Sequence, residues 1–243
     1  MVIAGVVIDK KDEKKLKALG VRDSKTLSPK KREELSIKIE EMARPTILMR
    51  VPACKIYSYR KEHNINLDKL EAIKIAQIVD LSNANRVYID SLGNNHPNAE
   101  KPGKFENLIR ENLTGKNIDL VVENYADETY PIVSAASIMA KVERDRAIDE
   151  LKRKVGFDFG VGYSHDARAV KFLEKILQES QSPPSFIRWH WITVEETAER
   201  LLNEGKKLQP WVLDKVLNQD SWQRRIKDFF SKKEKCKEGE SEN

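Results

Sequence analysis

Two aspartates, Asp90 and Asp127, stand where phosphate chemistry can be done. Asp127 follows a β-branched run (118–122) and precedes Pro131 and the small-residue stretch Val133-Ser-Ala-Ala-Ser-Ile-Met-Ala-Lys-Val142, which has the pattern of a helix. A carboxylate at a strand-to-helix junction faces solvent, and the first N–H groups of the helix point at an incoming anion. Asp90 closes the short apolar run Arg86-Val-Tyr-Ile-Asp90, with Val87 and Ile89 as strand formers and Gly93-Asn-Asn95 ending it as a loop. Ligand sites collect at the C-terminal ends of strands in α/β sheets. Two carboxylates, each ending its own strand, suggest a divalent-metal centre, and hard oxygen donors suit Mg²⁺ or Mn²⁺ better than Zn²⁺. Two other readings stay open on spacing alone. Asp127 can be a helix cap or a solvated loop residue, and the pair can be unrelated surface acids.

The elements that would position this pair alternate between strand and helix. A strand is expected at 1–9, and a helix after Leu27-Ser28-Pro29 with Ser28 as N-cap and Pro29 at N1. A strand at 45–51 leads to a helix at 67–82 with Leu67, Leu70, Ile73, Ile78 and Leu81 on one face. The Asp90 strand, a short helix near 104–113, a strand at 118–123 and a long helix at 132–154 follow. Helices at 166–180 and 191–204 flank Ser182-Pro-Pro184. The order is that of an α/β fold with a mixed sheet flanked by helices. Tyr163, between glycines and polar residues in Gly160-Val-Gly-Tyr-Ser-His-Asp166, is either an exposed aromatic that stacks on a sugar or base, or a tyrosine packed under a loop. Lys25 by itself reads as a solvated charge. Arg188-Trp-His-Trp-Ile-Thr193 is aromatic and basic; core packing is favoured over nucleic-acid contact.

Five blocks, in order, resemble the archaeal form of ribonuclease HII: Asp23-Ser-Lys-Thr-Leu27, Asn66-Leu-Asp-Lys-Leu-Glu-Ala72, Tyr88-Ile-Asp-Ser91, Tyr125 through Asp145, and Gly160 through Asp166. The resemblance runs from Met1 to about Glu196. It implies an RNase H-like fold and an endonuclease that cuts the RNA strand of RNA–DNA hybrids and DNA carrying embedded ribonucleotides. It also implies four acidic residues holding two ions about 4 Å apart, which activate water and stabilise the leaving 3′-oxygen. By position Asp90 and Asp127 match the third and fourth of these acids. Tyr163 matches the tyrosine that checks the ribose 2′-hydroxyl, and Lys25 a basic residue near the substrate backbone. The disfavoured third class is a transposase- or integrase-like enzyme on the same fold.

One family element is not found in residues 1–243, the Asp-Glu-Ala-Gly-Arg-Gly strand that supplies the first two carboxylates and grips the ribonucleotide junction. Met1-Val-Ile-Ala-Gly-Val-Val-Ile-Asp9 resembles the strand that follows it. Asp9 and Asp12 are not substitutes, because they lie at the far end of that strand, and Asp12 belongs to a charged helical run. Two carboxylates would bind Mg²⁺ weakly and would not hold two ions in register. Without a central strand, two neighbouring edges would be exposed and a slot left in the core. The expectation is that the sequence starts at an internal methionine of an active parent enzyme and that residues 1–243 alone are inactive. The alternative is a non-catalytic paralogue that binds the hybrid or a sliding clamp.

The rest of the composition agrees. The chain of 243 residues has room for a sizeable core, and its net charge of +5 is compatible with a nucleic-acid backbone without being diagnostic of one. Two cysteines, Cys54 and Cys236, and no signal peptide point to a reducing cytoplasm. No run approaches the ~20 apolar residues of a membrane span. A catalytic domain is expected over 1–205, with an extension over 206–243 that ends in a disordered polar tail. Within the extension, Gln223, Ile226, Phe229 and Phe230 are similar to the box by which replication and repair proteins bind the sliding clamp. Ile226, Phe229 and Phe230 would share one side of a helical turn and plug an apolar pocket, while Gln223 fills a polar one. The other reading is a terminal helix docked on its own domain. The expected partners are therefore an RNA–DNA hybrid and the clamp, with no membrane, and the protein is expected to be a monomer.

Overall fold

Alternation of short β-branched runs with longer helical repeats produces an α/β chain. The computed structural model describes residues 1–21, 24, 26–92, 102–115 and 118–217. It divides into two compact units, Met1–Val155 and the chain from Gly156 onward.

In the first unit, β1 (Val2–Val6) leads through a 3₁₀ turn (Lys10–Asp12) into α1 (Glu13–Ala18). Next come α2 (Pro29–Met42), β2 (Thr46–Arg50), α3 (Ala53–His63) and α4 (Leu67–Ser82). β3 (Arg86–Asp90), α5 (Lys104–Arg110), β4 (Asp119–Glu123), α6 (Ala126–Thr129) and the long α7 (Pro131–Val155) complete it. Ser28 caps α2 as expected, accepting from the Lys31 N–H with Pro29 in the first turn. Asn66 caps α4 by accepting from Lys69 N–H.

β1 pairs antiparallel with β2, Val2 opposite Arg50 through Val6 opposite Thr46. β3 pairs parallel with β4, Arg86 opposite Asp119 through Asp90 opposite Glu123. A parallel pair needs a crossover, and α5 lies in it. The mixed sheet thus consists of two separate two-stranded sheets, β1–β2 and β3–β4, with no ladder joining them among the described residues.

Three apolar clusters hold the unit together. Ala72, Ala76 and Val79 of α4 pack with Phe105 and Ile109 of α5 against Ile89, Leu120 and Val122. Leu16, Leu35 and Ile39 pack against Ala135, Ile138, Met139 and Val142 of α7. Val51, Ile56 and Leu70 form the third. α4 crosses β1 at Gly5, where an added Cβ would lie 2.5 Å from Ile78 Cγ2. Only glycine admits that approach. On α7 the buried Ser134 and Ala135 keep the helix face small where it meets the rest of the unit.

The second unit contains α8 (Ala167–Glu179), α9 (Ile192–Asn203) and α10 (Pro210–Lys215). α8 buries Phe172, Leu173, Ile176 and Leu177, and Phe172 stacks on Phe157 and Phe159 at 4.9 and 5.1 Å. Of the expected extension, residues 206–217 are described. Leu208, Val212 and Val216 are buried, Gln209 N–H donates to Leu177 O, and Trp211 Nε1 donates to Ser180 O at 2.7 Å. This short segment packs on α8. Trp189 is core, with Nε1 donating to Pro184 O and its ring edge-on to Trp211, whereas Trp191 lies at the surface under the Arg188 guanidinium, 4.4 Å from the ring centre.

Candidate active site

β-Branched and aliphatic residues make β3 and β4 a parallel pair, so their C-terminal ends share one side. Asp90 ends β3 beside Glu123 of β4, and the ladder continues one step further through Ser91 N–H donating to Glu123 O at 2.8 Å. Beyond β4 the chain turns at Tyr125, whose left-handed backbone (φ 58°) starts α6 without a side-chain cap of its own. Asp90 performs that function from the neighbouring strand. Its Oδ1 accepts the Ala126 N–H at 3.1 Å, and Ala126 immediately precedes Asp127. Asp90 is exposed, while Asp127 is only 7% exposed. Ser134 of α7 donates to the Asp127 carbonyl and ties α6 to α7. Asp90 thus ends β3, whereas Asp127 lies inside α6 and is buried, and the two are joined through the hydrogen bond from Ala126 N–H.

Glu123 is a third acid near this mouth, which sequence reasoning passed over. Its carboxylate is held by the Tyr130 hydroxyl, 3.1 Å from both oxygens, and the Tyr130 ring lies 4.5 Å from that of Tyr88. Burial pushes the Tyr130 hydroxyl above its ordinary pKa, and the hydrogen bond and negative charge of Glu123 push it further. The signal was available, since Glu123 is the residue opposite Asp90 once β3 and β4 are placed in parallel register.

The donor chemistry fits a hard cation in part. Asp127 is more than nine-tenths buried. Such a group is costly unless a positive charge approaches it. Yet among the described residues no three His, Cys, Asp or Glu side chains gather into a metal-holding group. Asp90 and Asp127 suit part of one ion's shell, and the described residues do not assemble a two-ion centre.

Tyr163 belongs to the second unit. Gly160 and Gly162 take left-handed backbone (φ 69° and 72°), and the loop they shape exposes 41% of Tyr163, whose ring stacks on His165 at 5.5 Å. Asp166 closes the loop. Its carboxylate accepts from the Val161 N–H at 2.9 Å and the Arg168 N–H at 3.0 Å, and its own N–H donates to Tyr163 O. A Cβ on Gly160 would collide with that carboxylate. The two backbone hydrogen bonds, from Val161 and then Arg168, pull the Asp166 carboxyl down to about 2. Lys25 lies outside the described residues, as do Gln223, Ile226, Phe229, Phe230 and the polar tail.

A parallel strand pair and an antiparallel one, within an α/β unit braced by a long helix, match the RNase H-like fold class. The sequence model of the family described as Ribonuclease HII matches residues 1–194. A ribonuclease HII of Methanococcus maripaludis (strain C6) is 39% identical over 214 residues, covering 87% of this chain and 85% of its own. The crystal structure of the ribonuclease H2 from Pyrococcus horikoshii OT3 superposes with a TM-score of 0.69 at 31% identity, covering 83% of this chain and 99% of that one. The ribonuclease HII of Archaeoglobus fulgidus, solved in complex with PCNA, has a TM-score of 0.69 at 34% identity, covering 84% of this chain and 91% of that one. The chain belongs to the ribonuclease HII family. That family consists of metal-dependent endoribonucleases that act on RNA–DNA hybrids. Among the described residues no helix is long and apolar enough to cross a membrane.

Proposed function

We propose that this chain carries the core of an endonuclease that hydrolyses the RNA strand of RNA–DNA hybrids and embedded ribonucleotides, acting as a monomer. The observation that carries this reading is the Asp90–Ala126–Asp127 linkage at the mouth of β3 and β4. Asp90 and Asp127 would hold Mg²⁺ or Mn²⁺, which when bound supplies a more acidic water and offsets charge on the leaving oxygen. Asp90 fixes α6, and α6 presents Asp127. The exposed ring of Tyr163 stacks against the ribose at the junction, where the 2′-hydroxyl separates RNA from DNA. Lys25 contacts the substrate backbone. Gln223, Ile226, Phe229 and Phe230 dock on the sliding clamp, a role supported by the PCNA complex of the Archaeoglobus relative.

A second reading rests on the count of carboxylates: residues 1–243 alone are inactive and bind the hybrid or the clamp without cutting. A duplex with one embedded ribonucleotide, incubated with Mg²⁺ or Mn²⁺, separates the two. Cleavage that is lost on Asp127→Asn supports the nuclease reading. Cleavage that Asp127→Asn leaves unchanged refutes the role given to Asp127. Binding of the duplex without cleavage leaves the second reading. Phe229→Ala with Phe230→Ala is expected to abolish clamp pull-down, and unchanged capture defeats the clamp assignment.

A further inference from the structure

Away from the carboxylate pair, the first unit contains an open pocket of about 420 Å³ between β2, one face of α3 and α4. Arg50, Lys55, Tyr59, Glu62, His63 and Lys74 are among its lining residues. The charges do not balance. Arg50 is taken up by Glu143 at 2.5 Å and Glu150 at 3.0 Å, and Glu62 accepts a hydrogen bond from Ser58. Lys55, His63 and Lys74 form no ion pair among the described residues, whereas Arg32, Arg86, Arg110, Arg146, Arg168 and Arg200 all do. Lys74 Nζ sits 5.5 Å over the Tyr59 ring, and that ring is 6.0 Å from His63. The pocket therefore offers cations beside a half-buried aromatic face. At its rim Pro52 precedes α3 at the N-cap and provides no side-chain cap for the helix's first N–H groups.

Lysines beside an aromatic ring match a phosphate joined to a sugar and base. The surroundings indicate a polyanion in preference to a small one. Arg60, Lys61 and Lys69, on α3 and the start of α4, are exposed and form no ion pair among the described residues, although Glu62 and Asp68 are exposed there too. A free phosphate would need only the pocket; a strand backbone uses the row.

We propose that this pocket is a second nucleic-acid contact, binding one backbone phosphate through Lys55 and Lys74 with the adjoining nucleotide against Tyr59. The inference rests on the nuclease reading only for the identity of the polyanion, since Asp90 and Asp127 take no part in it.

The test is fluorescence anisotropy of a labelled RNA–DNA hybrid with the 1–243 protein in EDTA, across a salt series. Lys55→Ala with Lys74→Ala is expected to weaken binding about 3- to 10-fold and to lower the slope of log affinity against log salt by about 1 to 2. Lys55→Arg with Lys74→Arg keeps the slope. Thermal melts of both variants match the parent, because the lysines are not in the core. Unchanged affinity and slope in a protein that does bind hybrid overturns the pocket and leaves the nuclease reading intact. No hybrid binding by the parent protein overturns both. NMR supplies the other arm. Perturbation of the Lys55 and His63 signals by hybrid supports the proposal, and perturbation by inorganic phosphate but not by hybrid overturns it in favour of a small-anion site.

Discussion

Asp145→Asn tests the most enclosed ion pair among the described residues of the first unit. The Arg32 guanidinium is 8% exposed and donates to Ser24 O at 3.1 Å, Leu27 O at 2.6 Å and Asp145 Oδ2 at 3.0 Å. Its Nε is buried without a partner, so the charge depends on Asp145 for compensation. Removing one member of a buried pair costs about 3–5 kcal/mol, and of an exposed pair about 0.2–1 kcal/mol. Asp145 is 32% exposed, so solvent screening places the loss between these limits, at about 2 kcal/mol. For a chain of this size that is about 4–8 °C in Tm. A double-mutant cycle with Arg32→Met isolates the pair, with an expected coupling of about 1–2 kcal/mol by urea denaturation. pH adds a check. Burial pushes the Asp145 carboxyl up, but hydrogen bonds from Arg144 and Arg32 and the charge of Lys141 outweigh it, and the group stays below its ordinary value of 3.8. A depressed carboxyl contributes stability above its unfolded value and loses it as pH falls through the folded one. The gap between parent and variant is therefore flat from neutral pH down to about 4 and closes below that. A coupling under about 0.3 kcal/mol, within the error of additivity, would refute the reasoning.

Other outcomes follow from the same geometry. Asp127→Asn is expected to shrink the Tm increase that Mn²⁺ gives the parent protein; an unchanged increase contradicts the place given to Asp127. NMR titration of the Val161 amide should show its inflection near 2, where Asp166 protonates, with the loop-closing bonds intact above that pH and lost below it; an inflection near 4 contradicts the assignment. Gly5→Ala forces a Cβ to within 2.5 Å of Ile78 Cγ2 and costs about 1–3 kcal/mol by denaturation; a neutral substitution means that α4 can shift away from β1.

Legibility varied with the length of the signal. α4 spans Leu67–Ser82, as its apolar spacing indicates, and α2, β3, β4 and α7 fall within a few residues of expectation, because each has either a cap or a sustained period. β1 is shorter than the 1–9 run suggests, since its charged end turns into the 3₁₀ segment. α3 went unseen. It buries only Ile56, so almost no apolar period marks it, although the left-handed Asn64 at its end is a stop signal. α6 is four residues long, too short to have a period. α10 went unseen too: Pro210 at its first position is a start signal, but its apolar residues are few. At the site, Asp90 could be read as a strand end and Asp127 as lying between a strand and a helix. Their linkage through Ala126 N–H could not, because it depends on parallel register between strands that are distant in sequence. Glu123, opposite Asp90, becomes visible only once that register is assumed.

The bond from Asp90 to the Ala126 N–H ties the two positions mechanically. A substitution at Asp90 leaves the first N–H of α6 without its acceptor and so loosens the turn from which Asp127 projects. The effects of Asp90→Ala and Asp127→Ala should then overlap, with the double substitution little worse than either alone.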